Sequence, residues 1–276
     1  MPRISSCLAL IFLSFSIACS QQNSIVESSS PASMAPSIQA EEIGWQPGPG
    51  TSWQIQLSGP IDSSYEVQVY DIDLFDAEAS LIERLHAQGR KVICYFSAGS
   101  FEDWRSDSGI FPKDVIGKDY ENWPGERWLD IRQIDKLAPI MRARMDLAVE
   151  KRCDAVDPDN VEGFENDTGF PLSAEDQLVF NRWLASEAHQ RKLAIGLKND
   201  LGQIADLVSV FDFSVNESCF ENQECEELSS FIQANKPVFG IEYQGDTDEY
   251  CTLANQKNFD TLKKNLDLDA VRQSCR

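Results

Sequence analysis

The chain has 276 residues, 42% of them apolar, and a formal net charge of −21. That length exceeds an average domain but suits a single α/β barrel, and the apolar share supplies a sizeable core. So acidic a chain excludes nucleic acid as a partner and favours a cationic ligand, or simple solubility.

Residues 1–18 read as an export leader. Arg3 makes a short positive start, and "CLALIFLSFSIA" is an apolar run too short to anchor as a membrane span. The run ends in "SIAC", which resembles the lipobox of bacterial lipoproteins, with Ser16 where an aliphatic residue is usual. Acylation of Cys19 would hold the protein at a membrane surface through lipid alone; ordinary signal cleavage nearby is the competing reading. Residues 19–43 are rich in Ser, Pro and Gln without periodicity and read as a flexible tether. The folded domain is expected over 44–276, as a monomer.

Within that domain, strands and helices alternate. "WQIQLSG" (53–59) and "VQVYDIDLF" (67–75) read as strands. A helix follows over 76–89, with Asp76 as N-cap and Gly89 past its end. "KVICYFSAG" (91–99) reads as a buried strand. A Trp- and Gly-rich loop (100–126) leads to "RWLDIR" (127–132). Next come a helix over about 134–151, "DAVDPDN" (154–160), and a helix over about 173–191 opened by the capping box "SAED". "LAIGLKND" (193–200), a short helix, "FDFSVNE" (211–217), a helix over about 224–234 and "PVFGIEY" (237–243) complete the series. Eight strands so arranged predict an α/β fold, a single (β/α)8 TIM-type barrel. The link from Pro60 to Glu66 is too short for a crossover helix, so the first β–β connection must be irregular.

Past Cys19 six cysteines remain. An even number in an exported chain argues for disulfides. Cys219–Cys225 and Cys251–Cys275 are local pairs, leaving Cys94–Cys153 to join two strands, although six cysteines allow 15 connectivities. The two histidines, His86 and His189, fall in helical segments and no CxxC occurs, so neither a metal nor another cofactor is expected.

Each strand begins apolar and ends polar: Asp71 and Asp73; Tyr95 and Ser97; Asp130; Asp157, Asp159 and Asn160; Lys198, Asn199 and Asp200; Asn216 and Glu217; Glu242 and Tyr243. In a (β/α)8 barrel these ends meet at one mouth, where active sites sit. Gathering that much carboxylate costs several kcal/mol per uncompensated charge, a cost more readily carried for function than for stability. No Ser/His/Asp triad and no Gly-rich phosphate loop follow from the pattern. "DPDNVEG" also fails as a calcium loop, because Val161 falls at a ligand position. Two opposed carboxylates remain, the equipment of glycoside hydrolysis. Tyr95, Trp104, Trp128 and Tyr243 are candidate sugar-stacking faces.

The ordered blocks "VYDIDLFD", "KVICYFSAGSFEDWR", "WPGERWLDIR", "CDAVDPDNVEGFENDTGFPLSAEDQLVFNRWL", "GLKNDLGQI", "NESCFENQEC" and "FGIEY" resemble glycoside hydrolase family 114 over about residues 45–275. The resemblance implies a TIM barrel with endo-α-1,4-polygalactosaminidase activity. It implies a catalytic Asp in "PDN" and a catalytic Glu in "NE.C", which are Asp159 and Glu217 here; analogy with retaining barrel glycosidases makes the first the nucleophile and the second the acid/base, the swapped assignment being the alternative. Ser218 departs from the Gln common after that Glu. Asp71, Asp73, Tyr95, Asp130, Asp157, Asn160, Lys198, Asn199, Asn216, Glu242 and Tyr243 are then the expected substrate-binding residues, the acids pairing with ammonium groups of a cationic polysaccharide. A non-catalytic barrel lipoprotein that only binds such polymers is the alternative.

Overall fold

The computed structural model describes residues 44–276. The export leader, the tether and Cys19 lie outside the described residues.

Eight parallel strands follow one another around the domain: β1 (Trp53–Gln56), β2 (Val69–Asp73), β3 (Lys91–Ser97), β7 (Ala155–Asp159), β8 (Ala194–Lys198), β9 (Phe213–Glu217), β10 (Val238–Glu242) and β11 (Asp260–Lys264). A short β12 (Arg272–Ser274) pairs antiparallel with β11. The gaps in that numbering are β4 (Ser100–Glu102), β5 (Ile116–Asp119) and β6 (Glu126–Leu129), which form a separate three-stranded antiparallel sheet in the long excursion after β3.

The barrel seam is closed by side chains and loops. Trp53 donates its indole N–H to the Asp260 carbonyl at 2.7 Å, Gln54 reaches the Ala270 carbonyl, and Arg272 reaches the Trp53 carbonyl. The backbone N–H of Leu57 bonds the Leu268 carbonyl. β1 and β2 pair in parallel although residues 57–68 between them hold no helix, so the irregular first connection is real.

One strand of the expected barrel is corrected. Segment 127–132 does contain a strand, β6, but it belongs to the excursion sheet. The eighth barrel strand is β11, whose sequence DTLKK carries too few apolar residues to stand out.

Helices cover the outside: α1 (Ala79–Ala87), α2 (Ile134–Lys151), α3 (Ala174–Gln190), α4 (Ile204–Leu207), α5 (Cys219–Asn222), α6 (Ser229–Gln233) and α7 (Thr247–Gln256). Ser173 and Asp176 make a reciprocal capping box at the start of α3. Glu78, not Asp76, caps α1, and Gly89 past its end has φ +76°, the left-handed turn glycine permits. Among the described residues no helix is long and apolar enough to cross a membrane.

Period-two alternation sorts the strand side chains into two cores. Trp53, Ile55, Val69, Ile93, Ala155, Phe213, Val215, Phe239 and Ile241 fill the barrel interior. Tyr70, Ile72, Val92, Phe96, Val156, Ile195 and Leu197 pack outward against helices. Both histidines sit at the strand starts, far from any mouth. His86 meets Asp154 and His189 meets Asp212, and each acid also accepts the first free strand N–H beside it, from Val92 and from Ile195.

Disulfides join Cys94–Cys153, Cys219–Cys225 and Cys251–Cys275. Cys94–Cys153 ties β3 to the entry of β7 across 59 positions. Closing a loop of that length removes unfolded-state entropy equivalent to about 4 kcal/mol. The double variant Cys94→Ala/Cys153→Ala is therefore expected to lose about 2–5 kcal/mol in urea unfolding, more than loss of the six-residue Cys219–Cys225 loop.

Candidate active site

Parallel strands deliver their last residues to one end of the barrel. There, inward positions on β3, β7, β8 and β9 are Tyr95, Asp157 and Asp159, Lys198, and Glu217. Register places Tyr95 beside Asp157 and Ser97 beside Asp159. The chain then leaves three of these strands through left-handed residues: Asn160 (φ 62°) after β7, Asn199 (φ 51°) and Asp200 (φ 46°) after β8, and Ser218 (φ 61°) after β9. Asparagine and aspartate tolerate this conformation better than most residues, and sharp exits turn the last strand side chain toward the cleft. Gly99 makes one of these turns possible, since a Cβ there would lie 1.6 Å from the Asn160 carbonyl oxygen.

Lys198 is the centre of the arrangement. Its ammonium lies 3.4 Å from Asp159 Oδ1, 3.6 Å from Asp157 Oδ2 and 3.8 Å from Glu217 Oε2, and it stands 5.2 Å from the centre of the Tyr95 ring. Burial alone would lower its pKa, but Asp157, Asp159 and Glu217 outweigh burial and raise it well above the usual lysine range. Lys198 is thus a fixed cation. Sharing that neighbour puts the two carboxyl oxygens of Asp159 and Glu217 no more than about 7 Å apart, the sum of their two distances to it, which is within sugar-ring reach.

Both carboxylates are held by further donors. Tyr95 Oη donates to Asp159 at 2.7 Å. Glu217 accepts from the Tyr243 hydroxyl and from Asn199 Nδ2, while Asn199 Oδ1 accepts the Glu217 backbone N–H. The Asp159 and Glu217 side chains keep 17% and 26% of their surface open, whereas Asp157 keeps none. So two of the three carboxylates face solvent and the third forms the floor.

The cleft above them encloses about 520 Å³. One wall comes from the excursion: Glu102, Trp104, Arg105, Tyr120, Trp123 and Glu126. The other carries Leu57, Leu266 and Leu268. Trp104 and Trp123 are half exposed, apolar faces set at the rim of a polar cleft. Asp73 is clamped by Arg105 through two bonds of 3.0 and 2.6 Å, and Arg105 also holds Glu102. Asn160 donates to Ser97 and Ser100, and Ser100 passes a hydrogen bond to Glu126. Burial pushes Glu126 up to about 7 despite the Ser100 bond, and it pushes Glu162 well above the carboxylate range with help from Asp159.

Of the expected substrate-binding residues, Asp73, Tyr95, Asn160, Lys198, Asn199 and Tyr243 line the cleft together with Asp159 and Glu217. Five do not line it. Asp71 and Asp157 are fully buried beneath it. Asn216 points away from Glu217 by strand parity and bonds Asn199. Glu242 accepts the backbone N–H groups of Phe220 and Glu221 and so satisfies the start of α5. Asp130 belongs to the turn after β6, where Arg132 and Gln133 hold it. Trp128 is buried against Tyr120, not a stacking face. Conversely, Glu102, Arg105, Tyr120, Trp123, Glu126 and the 266–268 loop were not singled out from sequence. The signal available was length, since a connection of residues 100–126 is far longer than a structural link requires.

Beside the cleft, Asp200 is buried and pushed up to about 8 by burial, with Glu165 reinforcing and Asn181 opposing the shift. An unfolded aspartate ionises near ~4. The folded state therefore holds the proton more tightly, and that contribution is complete below about pH 4 and lost as pH rises through about 8. Asp200→Asn is expected to flatten the fall in urea-unfolding stability between pH 5 and pH 8, leaving the variant about 1–3 kcal/mol less pH-sensitive than the parent.

Compared with known proteins, the chain matches the model of glycoside-hydrolase family GH114 over residues 34–276. It belongs to that family. This GH114 chain is 42% identical to Ega3 of Aspergillus fumigatus, whose crystal structure is a complex with galactosamine; the match covers 84% of this chain and 98% of that one, with a TM-score of 0.80. The glycoside hydrolase domain of PelA from Pseudomonas aeruginosa shares the fold at 14% identity and a TM-score of 0.64, over 82% of this chain and 99% of that domain. No curated protein matches. The protein is a glycoside hydrolase on a TIM-type α/β barrel.

Proposed function

We propose that this GH114 enzyme is an exported endo-glycosidase that cleaves α-1,4-linked, galactosamine-rich polysaccharide with two carboxylates, anchored through Cys19 or secreted. The carrying observation is the disposition of Asp159 and Glu217: each is open to one cleft, each is oriented by a tyrosine hydroxyl, and both flank the same buried ammonium. The likeness to a relative crystallised with galactosamine supports the sugar.

In this reading Asp159 attacks the anomeric carbon while Glu217 gives its proton to the departing glycosidic oxygen, breaking the C–O bond and leaving a glycosyl ester on Asp159. Water then attacks the same anomeric carbon, Glu217 takes the water's proton, and the bond to Asp159 breaks to release it as carboxylate. The bound of about 7 Å admits the spacing of about 5–5.5 Å that retaining enzymes use. Tyr95 and Lys198 stabilise charge on Asp159 before attack and after release. Asp76 and Asp267 also line the cleft and add acidic side chains suited to ammonium groups, and Trp104 and Trp123 offer faces for sugar rings or cations.

Mass spectrometry of products tests this. The purified protein is expected to shorten de-N-acetylated α-1,4-galactosamine polymer to oligomers and to leave neutral α-1,4-glucan and α-1,4-galactan intact. Equal cleavage of neutral polymer would overturn the sugar assignment. Binding without any change in polymer length would instead fit a polymer-binding barrel.

A further inference from the structure

Beneath the cleft floor lie two carboxyl groups that the proposed chemistry does not use. Asp71, on β2, is fully buried one inward position below Asp73, and Asp157, on β7, is fully buried one inward position below Asp159. Both oxygens of each are buried without a conventional hydrogen-bond partner; among the described residues no other carboxyl group is in that state. Leaving four such oxygens unmatched would cost several kcal/mol.

The neighbouring donors are already engaged. Tyr95 gives its hydroxyl to Asp159, and Asn160 gives its amide to Ser97 and Ser100. The charged groups facing Asp71 are Asp157 and Asp159 from β7 and Lys198 from β8; those facing Asp157 are Lys198, Asp159 and Glu217 from β9. Among these described neighbours the one cation is Lys198, which lies 3.6 Å from Asp157 and also serves the two cleft carboxylates. What remains within reach of Asp71 is Asp157 itself. Two buried carboxyls side by side cannot both ionise, and a proton between them turns two orphans into a donor and an acceptor.

We propose that Asp71 is a positioning residue of the reaction: it persists as a neutral acid, donates its proton in a hydrogen bond to Asp157, and through Asp157 fixes the Lys198 ammonium between Asp159 and Glu217. Burial with Asp157 alongside holds Asp71 well above the carboxylate range, and Asp157 is itself pushed up to about 7 by burial, with Lys198 opposing. The pair thus carries one negative charge, which offsets Lys198. Asp159 is left free to meet positive charge developing on the sugar. The consequence for catalysis rests on the two-carboxylate reading above; the shared proton does not.

The test has a spectroscopic arm and a kinetic arm. Infrared spectra of protein labelled with carboxyl-13C aspartate, taken in the Asp200→Asn background so that the other buried, protonated aspartate gives no signal, are expected to show a protonated carboxyl band at pH 7 that Asp71→Asn removes. Asn keeps an N–H donor toward Asp157, whereas Leu keeps none. Asp71→Leu is expected to lower kcat per folded molecule by ~30–100-fold with KM changed less than ~3-fold, and Asp71→Asn to recover at least ~10-fold of that loss. The basic limb of the wild-type kcat–pH profile is expected to weaken in Asp71→Asn, because the ionisable member of the pair is gone. A merely structural role would alter the folded fraction and leave that limb in place. Absence of the protonated band in the Asp200→Asn protein, or equal loss in the Asn and Leu variants, would overturn the proposal. Should Asp71→Leu not fold, the band and the Asn pH profile decide. Full activity in Asp159→Asn would sink the site reading while the band stood or fell on its own.

Discussion

Asp159→Asn and Glu217→Gln are each expected to lower kcat on galactosamine polymer by at least ~10⁴-fold, with melting temperatures within about 3 °C of the parent. Both side chains are partly open to the cleft and both substitutions preserve volume, so little packing is lost. An amide at 159 cannot form the glycosyl ester, and an amide at 217 has no acidic proton to give. The two losses part company on an aryl α-galactosaminide, whose leaving group needs no protonation. There Glu217→Gln is expected to show a rapid burst of phenol followed by slow turnover, because only the second step still needs the base. Asp159→Asn is expected to show no burst. The opposite pattern would exchange the two roles. Turnover near the parent rate in either variant would remove that residue from the chemistry.

The polar ends of the strands made most of this site legible before any fold was known. Seven of the eight barrel strands carry clear β periodicity, and at or near their C-terminal ends lie Tyr95, Asp159, Lys198, Glu217 and Tyr243, all of which line the cleft. Two kinds of information were hidden. β11 reads DTLKK, and four of its five residues are buried although only Leu262 is apolar; Lys264 is accommodated by laying its stem inward with its amine on the Asp269 carbonyl. A strand so polar has no β signal in the sequence, so β6 takes its place in the expected series and brings with it Asp130, which belongs to the excursion sheet's turn and not to the barrel mouth. The second hidden kind is depth. Asp157 and Asp159 share strand parity, yet one is floor and the other faces solvent, because parity gives the side of a sheet and not the height along the barrel axis. The excursion wall was hidden for a further reason: β4, β5 and β6 are short, and the Arg105 clamp on Asp73 and Glu102 joins residues with no common periodicity.

Lys198→Met is expected to reduce kcat by ~10²–10³-fold and to displace the acid limb of the rate profile to higher pH. Lys198 is 1% exposed and its ammonium lies within 4 Å of three carboxyl groups, so nothing else in the floor replaces its charge. Removing one partner from a buried ion pair ordinarily costs about 3–5 kcal/mol of stability. Here the penalty is expected to fall toward the lower end at pH 5, because Asp157, already pushed up to about 7, can take a proton when its counter-ion is gone. It is expected to grow as pH rises through 7, where holding that proton becomes costly. Lys198→Arg is not expected to restore the rate, since a guanidinium is larger than the buried site and its planar fork cannot serve three carboxylates around one point. Chemical denaturation at pH 5 and pH 8, paired with kcat–pH profiles, separates the two effects. A Met variant with parental kcat and an unmoved acid limb would mean that the cation holds the floor together but takes no part in the reaction.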